Sequence, residues 1–407
     1  MFIDELERDY KERGYEFYCA KQDANTTVSP LFIEETESGS RRKRILLLTH
    51  QLSRTGAPLA LFTMAMVLRK QFDVMVLTVE EGDLVRDYLD AGIPIVNAGR
   101  YWERRVVFKS FAKRFDGVIA NTVLHFPAIV ILNGLSLPVF WWIHEHENYF
   151  SYGRGEIPDP KSLKENIHIM VAGEYVRQVM RMEFGYDAPI LHVGMQPLEG
   201  QMIAETEQKC PVDGAEIIGE EQERVLHFLC VGTYSMEKGQ DILVKAYETL
   251  PKEYKAKLSL TFIGNEEQRD EEVYRMVREL EQKEALVSCH PLMPRQEALA
   301  FYNKADGVIS SSRREVLSMV VLENMMLEKC VLVSTATGNA AFIEDGVNGY
   351  VFDADNPLML RDTLVRMIDC REQLLMIGKQ ASHIYQQYFS MEVFERNVKR
   401  MITDFIV

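Results

Sequence analysis

The chain has 407 residues, a formal net charge of −15 and 47% hydrophobic side chains. That length exceeds one ordinary core and implies two domains; the acidic balance argues against a general nucleic-acid binder. The six cysteines (Cys19, Cys210, Cys230, Cys289, Cys330, Cys370) are scattered with no CxxC pair, so they read as free thiols in a reducing compartment.

The charged start, Met1-Phe-Ile-Asp-Glu, is not a signal peptide. Residues 1–44 fall outside the pattern that follows. Leu6, Tyr10, Tyr15 and Phe17 lie on one face of a candidate docked helix, and the polar 38–44 reads as a linker. From Ile45 apolar strands alternate with helices, the strands expected over 45–49, 74–78, 94–96, 117–120, 139–143, 167–171 and 190–192. Such alternation over 45–197 predicts an α/β domain with a parallel, doubly wound sheet. The most apolar window, 126–143, is broken by Asn133-Gly134 and Pro138, and reads as a helix and a buried strand rather than a membrane span.

The first strand runs into Thr49-His-Gln-Leu-Ser-Arg-Thr-Gly-Ala-Pro58, and a helix follows to about residue 70. Gly56 permits a tight turn, Pro58 suits the first helical position, and the amides around Gly56 and Ala57 suit a phosphate or sugar. No GxGxxG is present, so nicotinamide binding loses its best support. Strand 139–143 delivers His144-Glu-His-Glu147 to the same edge of the sheet. The spacing is not HExxH, and His144-x-His146 has no obvious third metal ligand. His144 is the candidate for facing a ligand; the alternative is a histidine satisfied by backbone at a strand end. His50 has a similar location and weaker claims. In residues 100–115, Arg100, Arg104, Arg105, Lys109, Lys113 and Arg114 stand against Glu103, and Phe108, Phe111 and Phe115 recur at helical spacing. The aromatics read as core. The cations read either as a solvated face or as a peripheral contact with an anionic membrane surface or a pyrophosphate-bearing acceptor.

Residues 198–224 are polar and acidic and interrupt the alternation, as an interdomain linker would. The pattern restarts with a strand over 225–231, the loop Gly232-Thr-Tyr-Ser-Met-Glu-Lys-Gly239 and a helix over 241–250. Lys238 and Gly239 at a helix start offer a charge and open amides to a diphosphate. Strands over 258–263 and 286–288 and a helix over 294–304 follow. Next come a strand over 307–310, a polar loop, a helix over 318–328, a strand over 330–334, a turn at Gly338 and a short strand before 352. The 318–328 helix is apolar nearly all round yet carries Glu323, and a buried carboxylate is costly without partners. Glu315 lies just before that helix. Two carboxylates thus flank a helix N-terminus at the C-terminal end of a strand, where open α/β sheets bind ligands. The plainer alternative has Glu323 capping or pairing with a neighbouring arginine. Asp353-Ala-Asp355 reads as surface. Helices fill 357–388, and Ser390 is a plausible N-cap for a last helix in 389–407.

Glu315-x7-Glu323, the Gly338 turn and Asp345-Gly-Val-Asn-Gly349 together resemble the donor signature of family-4 retaining glycosyltransferases of the GT-B fold. The Gly56 loop, His144 and Lys238-Gly239 resemble that family's other motifs, in the same order, from Ile45 to the C-terminus. The resemblance implies two Rossmann-like doubly wound domains facing across a cleft, an acceptor-side domain over 45–197 and a donor domain over 225–388. It also implies a final helix, 389–407, crossing back to the first domain. By the same resemblance Glu323 holds the ribose hydroxyls of a nucleotide-diphosphate sugar, Glu315 contacts the sugar, and the amides of Val316, Leu317 and Ser318 cradle sugar and phosphate. Lys238 grips the diphosphate, Gly56 and Ala57 approach the donor, and His144 lies near the reacting sugar. Thr233 stands where relatives carry an arginine, with Arg313 or Arg314 as candidate replacements. Val316-Leu-Ser318 replaces a glycine-rich stretch, and Ala340-Ala341 replaces proline and an acid. The implied activity is sugar transfer to a glycan or lipid-linked acceptor at the cytoplasmic face of a membrane, in surface polysaccharide or glycolipid assembly, with no cofactor or metal. The competing readings are a non-catalytic GT-B binding subunit and a nucleotide-sugar epimerase.

Overall fold

The continuous apolar runs become strands buried on both faces, as a sheet covered by helices on each side requires. The computed structural model describes residues 16–18, 42–152, 155–196, 224–266 and 269–406. They divide into one unit of Met1–Met195 with Phe389–Val407 and a second of Gln196–Tyr388.

In the first unit the strands are β1 (Glu16–Tyr18), β2 (Arg44–Thr49), β3 (Asp73–Thr78), β4 (Ile95–Asn97), β5 (Gly117–Asn121), β6 (Val139–Ile143) and β7 (Ile167–Val171). They lie in the order β1-β4-β3-β2-β5-β6-β7, parallel except for β1, which pairs antiparallel with β4. Phe17 therefore sits on an edge strand, not on the expected helical face; Leu6, Tyr10 and Tyr15 lie outside the described residues. The strand expected at 190–192 reduces to a single bridge between Val171 and Ile190.

The second unit contains β8 (Leu226–Val231), β9 (Leu258–Gly264), β10 (Val287–Pro291), β11 (Gly307–Ser310), β12 (Cys330–Ser334) and β13 (Tyr350–Phe352). Its order is β10-β9-β8-β11-β12-β13, all parallel. Counted from β2 and from β8, both sheets run third, second, first, fourth, fifth, sixth. The winding reverses between β2 and β5 and between β8 and β11, and ligands bind beyond the strand C-termini at such a reversal.

The helices that frame these points are α1 (Gly56–Leu68), α2 (Arg105–Ala112), α3 (Gln240–Glu248), α4 (Met319–Met326), α5 (Leu374–Tyr388) and α6 (Met391–Val398). At Gly56 a Cβ would meet nothing within 4 Å and φ is not left-handed, so the glycine expected to permit a tight turn is not demanded by the backbone. Around α2, Phe108, Phe111 and Phe115 are buried while Arg104, Arg105, Lys109, Lys113 and Arg114 are exposed. Among the described residues no helix is long and apolar enough to cross a membrane.

After α5 the chain returns to the first unit. The Met195 amide donates to the Phe389 carbonyl at 3.0 Å. Phe394 of α6 is buried, its ring 6.1 Å from that of Trp142. A Cβ on Gly194 would lie 2.5 Å from the Phe394 side chain, so glycine admits the ring. Phe394→Ala is expected to lower the unfolding free energy of the first unit by about 3–5 kcal/mol. Urea denaturation of the variant checks this, and a loss under about 1 kcal/mol would show that the returning segment is not part of that core.

Candidate functional site

At the second reversal point, β8 ends at Val231 and turns through Gly232–Gly239 into α3. Gly239 has φ +68°, and a Cβ there would lie 2.1 Å from the Ser311 carbonyl oxygen, so conformation and close approach both require glycine. Side chains fasten the rest of the loop. Ser311 Oγ donates to the Lys238 carbonyl at 3.2 Å, and Ser235 Oγ accepts from the Lys238 amide at 3.2 Å. The buried Gln240 accepts from the Ser235 amide at 3.3 Å and donates to the Thr233 carbonyl at 3.0 Å.

Held this way, Lys238 Nζ lies 2.6 and 2.7 Å from the two carboxylate oxygens of Glu315, which leads out of β11. Ser312 Oγ donates to the same carboxylate at 2.8 Å. The lysine side chain is 35% exposed and the glutamate 14%, so a phosphate can approach the ammonium and compete with Glu315 for it. Glu315 is strapped to the glycine turn: its amide donates to the Ala336 carbonyl at 3.1 Å, and its carbonyl accepts from the Gly338 amide at 2.8 Å. A Cβ on Gly338 would meet the Val316 carbonyl oxygen at 1.8 Å.

The Val316 and Leu317 amides make no hydrogen bond among the described residues. Ser318 differs from expectation. Its amide donates to Asn339 Oδ1 at 2.7 Å, and Asn339 Nδ2 donates back to the Ser318 carbonyl at 3.3 Å. The cap on α4 comes from a residue 21 positions away, so the Ser318 amide is already engaged. Within α4, Glu323 is buried as expected beside Val321, Leu322, Met325 and Met326. Asn324 is buried too, donating to the Val320 carbonyl at 2.9 Å.

Arg313 also departs from the reading as a spare cation for phosphate. Its guanidinium donates to the Asp241 carboxylate at 2.6 and 2.8 Å, to the Met236 carbonyl at 2.7 Å, and to Asp355. Four of its five N–H groups are thereby used, while its amide donates to the Glu237 carbonyl at 2.7 Å. Arg313 is a strut between the β8 and β11 loops. Burial pushes the Asp241 carboxyl up, but hydrogen bonds from Arg313 and Lys245 outweigh it and hold the group below its usual value. Asp355, read as surface, anchors the strut from the loop after β13. Arg314 pairs with Glu237 at 3.2 Å.

At the first reversal point the loops after β2, β5 and β6 supply His50, His125 and His144. Asn121 Nδ2 donates to the Ala57 carbonyl at 3.0 Å, tying β5 to the start of α1. His125 Nδ1 pairs with the Tyr101 hydroxyl at 2.7 Å. His50 Nδ1, His125 Nε2 and His144 Nε2 are buried without a partner, so backbone does not satisfy His144 at that atom. Burial, and then the neighbouring His50, hold His125 and His144 well below the usual imidazole range. Burial also lowers His50 against the pull of Glu80. These rings are neutral at neutral pH and exchange hydrogen bonds, not charge. Directly after His144, buried Glu145 accepts from the Val123 amide at 2.9 Å and the His144 amide at 3.0 Å. Burial pushes it up to about 7 against those bonds. Among the described residues no three His, Cys, Asp or Glu side chains are grouped to hold a metal.

Sequence reasoning missed Asp241, Asn339, His125 and Glu145. A buried-register Asp at a helix start was a usable signal for the first; the others act across long loops and left none.

Residues 41–184 match the family model Glycosyl-transferase family 4, and residues 217–383 match Glycosyl transferases group 1. An uncharacterized glycosyltransferase of Methanocaldococcus jannaschii is 25% identical over 175 residues, 42% of this chain and 46% of its own length. D-inositol 3-phosphate glycosyltransferase of Xylanimonas cellulosilytica is 30% identical over 165 residues, 38% of this chain and 37% of its own. The chain thus spans less than half the length of these curated relatives. Among solved structures, Anabaena HepE in complex with UDP superposes with a TM-score of 0.73 at 17% identity, covering 89% of this chain and 100% of that one. The likeness is one of fold.

Arg313→Ala and Asp241→Ala are each expected to cost the second unit about 3 kcal/mol, and the double substitution little more, because each removes the same two hydrogen bonds and leaves the other group short of its partner. Denaturant titration of the four proteins checks this; fully additive losses would contradict the strut. Glu145 gives a pH signature. A carboxyl raised from 4.5 to about 7 on folding binds its proton more tightly in the folded chain. Stability therefore falls as pH rises through that interval, by on the order of 3 kcal/mol. Glu145→Gln is expected to raise Tm relative to the parent at pH 8 by more than at pH 5, and an equal change at both pH values would refute the assignment.

Proposed function

The chain belongs to the GT-B glycosyltransferases, with a family-4 segment followed by a group 1 segment, and on that premise we propose that it moves a sugar from a nucleotide-diphosphate sugar to an acceptor hydroxyl with retention at the anomeric carbon. One observation carries the reading: Lys238 and Glu315 converge at the reversal point of the second sheet, beside the open Val316 and Leu317 amides. The reaction must stabilise a departing diphosphate and an oxocarbenium-like sugar. Lys238 and the amides at the start of α4 serve the first; Glu315 orients the second, and Glu323 holds the ribose. The leaving phosphate takes the acceptor proton, so no carboxylate nucleophile is required. His144, as a neutral ring, hydrogen-bonds the reacting sugar. No metal or cofactor enters.

The acceptor is a glycan or lipid-linked hydroxyl, in surface polysaccharide or glycolipid assembly at the cytoplasmic face of a membrane. The exposed cations of residues 100–115 over buried aromatics support a peripheral contact there. A donor-binding subunit without turnover is the second reading. One observation favours it: Thr233 replaces an arginine, and Arg313 and Arg314 are both held by carboxylates, so Lys238 carries the phosphate grip.

A thermal-shift screen of nucleotide sugars, with UDP-glucose as first probe because the Anabaena HepE structures hold UDP and UDP-glucose, tests the site. Lys238→Ala and Glu323→Ala are each expected to weaken donor binding at least tenfold, about 1.4 kcal/mol. Undiminished donor stabilisation in both variants would move the site elsewhere. Nucleotide release that depends on an added acceptor separates the transferase from the binding subunit.

A further inference from the structure

We propose that Glu145 is a positioning residue of the first unit, whose carboxylate holds the strained Thr122 turn and the His144 loop in one fixed arrangement. The inference rests on the reading that His144 serves the transfer reaction.

The starting point is an outlier. Thr122 has φ +90° and ψ 154°, a conformation that belongs to glycine, and it is β-branched. Such strain costs about 1–3 kcal/mol and persists only where surrounding contacts over-determine it. They do so here. The Thr122 amide donates to the Trp142 carbonyl at 2.8 Å, and Trp141 Nε1 donates to the Thr122 carbonyl at 2.8 Å. The β5–β6 ladder ends at the Asn121–Trp142 pair. Beyond it, one oxygen of Glu145 accepts both the Val123 amide at 2.9 Å and the His144 amide at 3.0 Å. The side chain thus extends the pairing of the two strands past the point where backbone alone can continue it.

The means is an expensive one. Glu145 is 8% exposed and forms no ion pair among the described residues. A fold that needed only a packed edge would place an apolar side chain there. What the carboxylate secures is shape at the strand ends, where Thr122 leads towards His125 and Glu145 follows His144. These two imidazoles and His50 each carry a buried ring nitrogen with no partner. Neutral imidazole nitrogens suit sugar hydroxyls rather than phosphate, so a fixed His144 ring confers orientation on the reacting sugar and leaves donor affinity unchanged.

The test compares the parent with Glu145→Ala, Glu145→Gln, His144→Ala and the Glu145→Ala/His144→Ala pair. Hydrogen exchange is read at residues 122–125 and 143–146. Turnover is read as nucleotide release, with UDP-glucose as first probe and the screened nucleotide sugars after it. Glu145→Ala is expected to speed exchange at both segments at least tenfold and to lower kcat at least tenfold at unchanged donor KM. Glu145→Gln, which keeps the accepting oxygen, restores most of both, and Glu145→Ala costs no further kcat once His144 is alanine. Unchanged exchange, or an equal kcat loss with and without His144, overturns the proposal. If Glu145→Ala does not fold, the comparison is repeated on Thr122→Gly, which removes the strain, with the same outcomes deciding. A parent that turns over no nucleotide sugar overturns the transferase reading instead, and the exchange measurement still decides the role of Glu145.

Discussion

The ion pair between Lys238 and Glu315 depends for its geometry on backbone that other side chains hold. A partly exposed ion pair adds about 0–1 kcal/mol to stability, so it does not shape the loops around it. Gly239 lets the β8 loop approach Ser311, Arg313 spans from β11 to Asp241, and Asn339 closes the start of α4. Each of these contacts crosses between loops that leave different strands. The strand order makes that crossing available, since β8 and β11 are neighbours in the sheet although their last residues, Val231 and Ser310, lie 79 positions apart. The Lys238–Glu315 pair is therefore a consequence of topology first, of loop fastening second, and of its own attraction last.

The two units use one strand order with different fastenings. In the second, charged groups do the tying: a guanidinium between two aspartates, and an ammonium on a carboxylate. In the first, the tie is a buried carboxyl on backbone amides, and the nearby imidazoles are neutral. The chemistry available at each edge follows. An ammonium and open helix-start amides favour an anion, while neutral rings with unused nitrogens favour hydroxyls.

Most strands were legible because a buried parallel strand is a continuous apolar run, and such runs at 139–143, 167–171, 307–310 and 330–334 became strands with the expected limits. Lys238, Glu315 and Glu323 were legible as charge placed where periodicity demanded apolar side chains or a helix start. The errors share a cause. Arg313 looked like a free cation, and Ser318 like a free amide, because their partners Asp241 and Asn339 lie 72 and 21 residues away. Phe17 fitted a helical stripe as well as a strand, and only pairing with β4 separates the two. Glu145 was hidden beside a histidine that drew the chemical argument. Local pattern reports what a residue is exposed to in its own element, and long-range hydrogen bonds reassign it.

The acidity of the chain acquires a specific meaning at the second site. With Arg313 and Arg314 both on carboxylates, and Lys238 on Glu315, no cation described there is in excess. A diphosphate bound at this edge would share the Lys238 ammonium with the Glu315 carboxylate, so the ammonium supplies only part of the grip. Hydrogen bonds to a charged group are worth about 1.5–3 kcal/mol each, so two preset amides at Val316 and Leu317 outweigh one shared lysine. Their value lies in being fixed before a ligand arrives, since ordering them on binding would consume part of the gain. The Arg313 strut, the Asn339 cap and the Gly338 strap all serve that presetting. A net charge of −15 is then compatible with an anion site, because the attraction resides in oriented dipoles rather than in surplus positive charge.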